Sequence, residues 1–80
     1  MIFQRRITIN PQIMHGKACI KGTRIPVYLI LEMLAAGEKI DDILGSYPTL
    51  KKQDIQAAIE YAAETVKEEA APLKLAFGTA

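Results

Sequence analysis

Lys51, Lys52, Gln53 and Gln56 stand together where a long helical pattern begins, off its apolar face. Residues of these types can read nucleic acid. A Gln amide matches the donor and acceptor on adenine, and Lys suits guanine or phosphate. A recognition helix presents such groups from its first turns, where backbone N–H groups also favour an anion. The same four residues also fit a plain solvated helix start, where charged and polar side chains are ordinary. A second cationic set lies towards the front of the chain. Arg5, Arg6, Lys17, Lys21 and Arg24 are all of the ionised side chains between Met1 and Leu31. From Glu32 onward, five lysines face nine carboxylates. The formal net charge of +1 therefore hides a dipolar chain. Such asymmetry suits an anionic partner for the basic end, or attraction between the two ends within one chain or between two copies.

Catalytic chemistry finds little support. His15 and Cys19 are two potential metal ligands, but a tetrahedral site needs four and the chain has no further Cys or His. As a nucleophile and base they form a conceivable pair, whereas a lone Cys on a short strand behaves as a small buried hydrophobe. Asp41-Asp42 and Glu68-Glu69 are adjacent pairs, and adjacent helical residues face different sides. No glycine loop of the phosphate-cradling kind occurs. The expectation is a protein that is not an enzyme and has no metal and no cofactor.

The elements that must position these groups follow from local pattern. Alternation around Ile7 and Ile9, ended by Asn10-Pro11, predicts a strand over residues 3–9. Residues 19–21 and 23–25 read as two very short strands or an irregular hairpin. Gly16, Gly22 and Thr23 supply the turn chemistry, and Arg24 is placed to lock the hairpin by binding carbonyls or a carboxylate such as Glu32 or Asp42. Val27, Ile30, Leu31 and Leu34 are spaced as one helical face over residues 27–36, and Gly37 is a fitting left-handed stop. Ile40, Ile43 and Leu44 give a turn or two of a second helix, and residues 45–49 form a turn. Ile55, Ala58, Ile59, Ala62 and Val66 line one face of a third helix over residues 52–70, which Pro72 stops. Residues 1–71 thus form one domain, with a β element over 1–26 and helices over 27–71, followed by a tail at 72–80. Three such helices match a homeodomain-like helix-turn-helix core with a short N-terminal β segment. They match a generic helical bundle as well.

Eighty residues bury only roughly 60–65% of their unfolded surface, so a domain of this size is marginal and oligomers are a common remedy. Half the residues are hydrophobic, which predicts a homodimer or a bound partner. One cysteine forms no internal disulfide and fits a reducing cytoplasm. No run approaches the ~20 apolar residues of a membrane span.

Gly16-Lys17, Ile20, Gly22-Thr23-Arg24-Ile25, Val27, Gly37, Asp42-Ile43, Tyr47-Pro48, Leu50, Asp54-Ile55 and Tyr61-Ala62 resemble the bacterial domain-of-unknown-function family numbered 433. The resemblance runs from residue 8 to residue 66. It implies a helix-turn-helix-type core and the antitoxin half of a type II toxin–antitoxin pair, whose partner is a PIN-like ribonuclease toxin and which binds its own operator DNA. Ala18 departs from the usual Pro. Lys39 and Lys51 replace the usual Ser or Thr helix caps, leaving Asp41, two residues after Lys39, and Thr49, two residues before Lys51, as shifted caps.

Leu73, Leu75 and Phe77 alternate with Lys74 and Ala76 after Pro72. An extended segment of this kind adds to another chain's sheet edge, or packs on its own domain. The resemblance implies the first, with Leu73, Lys74, Leu75 and Phe77 covering the toxin's acidic, metal-binding active site. The alternative for the whole chain is a dimeric protein–protein adaptor that never touches nucleic acid.

Overall fold

The structure, a computed structural model, describes residues 2–68. The tail residues Leu73, Lys74, Leu75 and Phe77 lie outside the described residues. Helix dominates. In chain order the elements are α1 (Phe3–Arg6), β1 (Ile7–Ile9), a 3-10 turn (Met14–Gly16), β2 (Ala18–Ile20), α2 (Val27–Ala35), α3 (Ile40–Ser46) and α4 (Lys52–Glu68). β1 and β2 form a two-stranded antiparallel sheet in which Ile7 faces Ile20, Thr8 faces Cys19 and Ile9 faces Ala18.

The predicted strand over 3–9 is half right. Ile7–Ile9 is extended, but residues 3–6 make one helical turn. The cause lies 57 and 58 residues away. Glu60 Oε1 accepts the N–H groups of Ile2 (2.9 Å) and Phe3 (3.2 Å), so α4 supplies the acceptor that the start of α1 lacks locally. Phe3 then meets Tyr61 edge-on, with ring centroids 6.0 Å apart.

Residues 19–21 and 23–25 make the irregular hairpin and not two strands: Ile20 N–H donates to the Ile25 carbonyl at 3.0 Å and Cys19 bridges Pro26, but 23–25 form no strand. Ile20 accepts the N–H of Thr23 at 3.0 Å and its hydroxyl at 2.8 Å, and the same hydroxyl oxygen accepts the N–H of Ile25 at 3.0 Å. Short-range acceptors thus take the N–H groups of Thr23 and Ile25, which keeps the pairing from extending beyond Ile20 and Ile25. Gly22, at φ +79, supplies the left-handed residue of this turn, and Lys21 sits exposed on it. Arg24 does not lock the hairpin. It is exposed and makes no side-chain hydrogen bond or ion pair among the described residues. The Thr23 hydroxyl does what was expected of Arg24.

α2 ends in a left-handed glycine stop. Gly37 N–H donates to Leu34 and Glu38 N–H to Met33, with Gly37 at φ +88. Replacing Gly37 with alanine forces a side chain into that conformation, and thermal unfolding should show a loss of about 1 kcal/mol. α3 runs two residues past its expected end, through Gly45 and Ser46, before the turn at Tyr47-Pro48.

The core consists of Ile20, Val27, Ile30, Met33, Ile43, Leu50, Ile55 and Ala58. It gathers one side chain or more from β2 and each of the three longer helices. The buried arc of α4 differs from the predicted face. Asp54, Ile55, Ala57 and Ala58 are buried, whereas Ile59 and Val66 are exposed. α4 packs against α1, α2, α3 and β1, so its arc is set by neighbours on several sides. Ala57 is fully buried, yet its side chain is too small to stand out in a pattern of large apolar residues. No helix among the described residues is long and apolar enough to cross a membrane.

Candidate nucleic-acid interface

The first turn of α4 is held by a carboxylate. Lys51, just before the helix, has no side chain able to accept an N–H group. Asp54, three residues on, accepts the Lys51 N–H through Oδ2 at 2.9 Å, the return half of a capping box. Neither Asp41 nor Thr49 moves a helix start: α3 begins at Ile40 and α4 at Lys52. The other Asp54 oxygen accepts Arg6 Nη1 at 2.9 Å. Asp54 is 5% exposed, so this pair joins the N-terminal segment to α4 from a nearly dry position. Its two oxygens satisfy one donor each, and among the described residues no buried side-chain polar atom lacks a partner.

That ion pair lines an open cleft of about 490 Å³ together with Ile2, Arg5, Lys21 and Gln53. The two cation-bearing segments are joined by main chain, because Lys21 N–H donates to the Arg6 carbonyl at 2.8 Å. Three cations therefore face one carboxylate around a polar opening. Lys51, Lys52 and Gln53 are exposed at the adjoining start of α4. On the other flank of α4, a shallow hollow of about 340 Å³ is lined by Lys52, Gln53, Gln56 and the apolar Ile2, Ile40, Ile55 and Ile59.

Of the eight residues expected to contact nucleic acid, Arg5, Arg6, Lys21 and Gln53 meet at the cleft, and Lys51, Lys52 and Gln56 adjoin it along α4. Lys17 goes elsewhere. Its ammonium lies 5.3 Å from the Tyr28 ring centroid, a cation–π contact at the mouth of a different groove. This groove, about 390 Å³, is mostly apolar and lies between Ala18, Val27, Tyr28 and Leu31 on one side and Tyr61, Ala62, Thr65 and Val66 on the other. Gln56 is partly engaged, since its Nε2 lies 3.3 Å from Glu60 Oε2. Sequence reasoning missed Asp54 and Glu60. Asp54 carried one legible signal, an acidic residue in the third position of a helix whose cap is unsuitable. Glu60 carried none, because its partners are remote in the chain.

The remaining candidates are structural. Gly16 takes φ +80 as the last residue of the 3-10 turn. The Cys19 thiol is buried and contacts the Lys17 carbonyl at 3.4 Å, while His15 is exposed. This pair is not arranged as a nucleophile with its base, since the thiol's hydrogen-bond partner is a main-chain oxygen. The arrangement as a whole can bind an anion, through cations converging beside a helix whose own start is already satisfied.

Fold and site together define a small, mainly helical domain with a two-stranded sheet and a cationic cleft at the head of its longest helix. The family described as Protein of unknown function (DUF433) matches residues 7–62, and the chain belongs to that family. The crystal structure of a DUF433 member protein from Anabaena variabilis ATCC 29413 is similar, with a TM-score of 0.75 at 31% identity over 84% of this chain and 66% of that one. The uncharacterized protein y4eO of Sinorhizobium fredii (strain NBRC 101917 / NGR234) is 35% identical over 68 residues. That stretch is 85% of this chain and only 28% of the relative, so the chain spans little more than a quarter of that protein's length.

Proposed function

We propose that this domain binds DNA as the antitoxin of a type II toxin–antitoxin pair, with α3, the connection at 47–51 and α4 acting as a helix-turn-helix. The observation that carries the DNA part is the placement of Lys51, Lys52 and Gln53, exposed on the opening turn of α4 beside the cleft that gathers Arg5, Arg6 and Lys21. A helix start flanked by cations fits a major groove bordered by phosphates. The antitoxin part, with a PIN-like ribonuclease as its cytoplasmic partner, rests on the family resemblance. Binding to a duplex from the chain's own upstream region tests the DNA part. Reversing both charges with Lys51→Glu and Lys52→Glu should weaken that binding by about 100-fold at moderate salt, because phosphate contacts dominate affinity. Retention of wild-type affinity would remove α4 as the reading helix.

A second reading, the dimeric adaptor, draws on a different observation. The apolar groove holds Tyr28 and Val66, both nearly half exposed, on a domain too small to leave such surface idle. The two readings are compatible if two copies meet at the groove and present two α4 starts to DNA. Light scattering during chromatography decides the dimer, and duplex binding decides whether it is more than an adaptor.

A further inference from the structure

Cations in one cleft can have different duties, and their partners tell them apart. Arg6 is committed to Asp54 at 2.9 Å. Arg5 and Lys21 line the same cleft, are exposed, and make no side-chain hydrogen bond or ion pair among the described residues. They come from different elements, Arg5 from α1 and Lys21 from the turn after β2. The main chain nonetheless ties the two segments that carry them, through the Lys21 N–H to Arg6 carbonyl bond at 2.8 Å and the pairing of Ile7 with Ile20. Gln53, one residue before Asp54, adds an exposed amide to the same lining.

Two uncommitted cations lining one cleft with an amide suit a tetrahedral oxyanion, and they carry one charge more than a phosphodiester needs. The cleft is open, and Lys51 and Lys52 continue the cationic surface beyond it along α4. A repeating polyanion satisfies such a strip; a single small anion satisfies only the cleft.

We infer that Arg5 and Lys21 clamp one phosphodiester of a duplex DNA strand, with the Gln53 amide on the same phosphate, and that Arg6 is an anchor for α4 that does not touch DNA. This rests on the reading of α4 as a DNA-facing helix and adds a division of labour to it. The clamp sets where the strand runs, and so which base edges come opposite Lys51, Lys52 and Gln56.

The test is fluorescence anisotropy with a 20-base-pair duplex from the chain's upstream region and with a scrambled duplex, across a salt series. In the Arg5→Gln, Lys21→Gln double variant, the slope of log affinity against log salt should shrink by about 2, close to 0.9 for each lost phosphate contact. The salt slope should shrink by the same amount with both duplexes, because phosphate contacts carry no sequence information. Both side chains are exposed and uncommitted, so the circular dichroism melt should stay at the wild-type value. In Arg6→Gln the melt should fall while the salt slope of the folded fraction at low temperature stays at the wild-type value. An unchanged slope in the double variant overturns the clamp and leaves DNA binding standing. A slope reduced by about 1 in Arg6→Gln overturns the division of labour. Wild-type protein that binds neither duplex overturns the clamp together with the reading beneath it. An NMR titration with inorganic phosphate separates the two sources of phosphate: saturation of the Lys21 and Gln53 amide shifts as tight as that seen with the duplex would make the cleft a small-anion site and also overturn the clamp.

Discussion

Replacing Asp54 with alanine should lower stability in urea unfolding by about 3 kcal/mol, a large share of what an 80-residue domain possesses. The carboxylate has two donors, Arg6 Nη1 and the Lys51 N–H, each at 2.9 Å. Its loss removes both acceptors at once. The Lys51 amide then stands at a helix start without an intramolecular partner, because the Lys51 side chain cannot cap. The Arg6 side chain is 33% exposed and regains part of its hydration, which keeps the cost below that of stripping a fully buried ion. Asp54→Asn keeps the volume and one acceptor oxygen, so it should lose roughly half as much. Amide exchange at Thr8 should quicken in Asp54→Ala, since the antiparallel register turns that N–H toward Cys19 and Asp54 holds Arg6, the residue just before β1. A loss below 1 kcal/mol, with exchange in β1 unchanged, would show that the ion pair joins nothing.

The second large effect is expected at Ile43. It is fully buried at 0% exposure and is the one buried side chain of the seven-residue α3. Ile43→Ala removes the side chain that ties α3 to the core and leaves a cavity, at a cost of about 3–4 kcal/mol. For a domain of this size, thermal unfolding should fall by more than ~10 °C. Leu44 is the neighbouring control. It packs only partly against the core, so Leu44→Ala should cost about half as much. Equal losses at the two positions would mean that α3 is held by its whole apolar surface. If α3 positions α4 for DNA, Ile43→Ala should also weaken duplex binding at temperatures where the variant remains folded.

The periodic elements were legible because their causes are local. The spacing of Val27, Ile30 and Leu34 marks α2, and Gly37 ends it through hydrogen bonds that reach only three to five residues back. Ile7–Ile9 reads as extended, and Lys52–Glu68 as helical, from neighbours within a few residues. Membership in a family with a Gly-Thr-Arg-Ile turn was equally readable, since that turn is closed by Thr23 and Gly22 themselves.

What stayed hidden depends on groups far apart in the chain. Whether residues 3–6 continue the strand or curl into a turn depends on an acceptor, Glu60, that only folding brings near. The sharpest case is the basic set. Its members are indistinguishable by type, yet Arg6 is anchored, Arg5 and Lys21 share an open cleft, Lys17 lies on Tyr28, and Arg24 faces solvent. Composition and spacing by themselves determined that the front of the chain is basic and that a polar helix start follows. Only the tertiary structure decided which of those cations is spent on a carboxylate, because an ion pair depends on distance in space and its two residues here lie 48 positions apart.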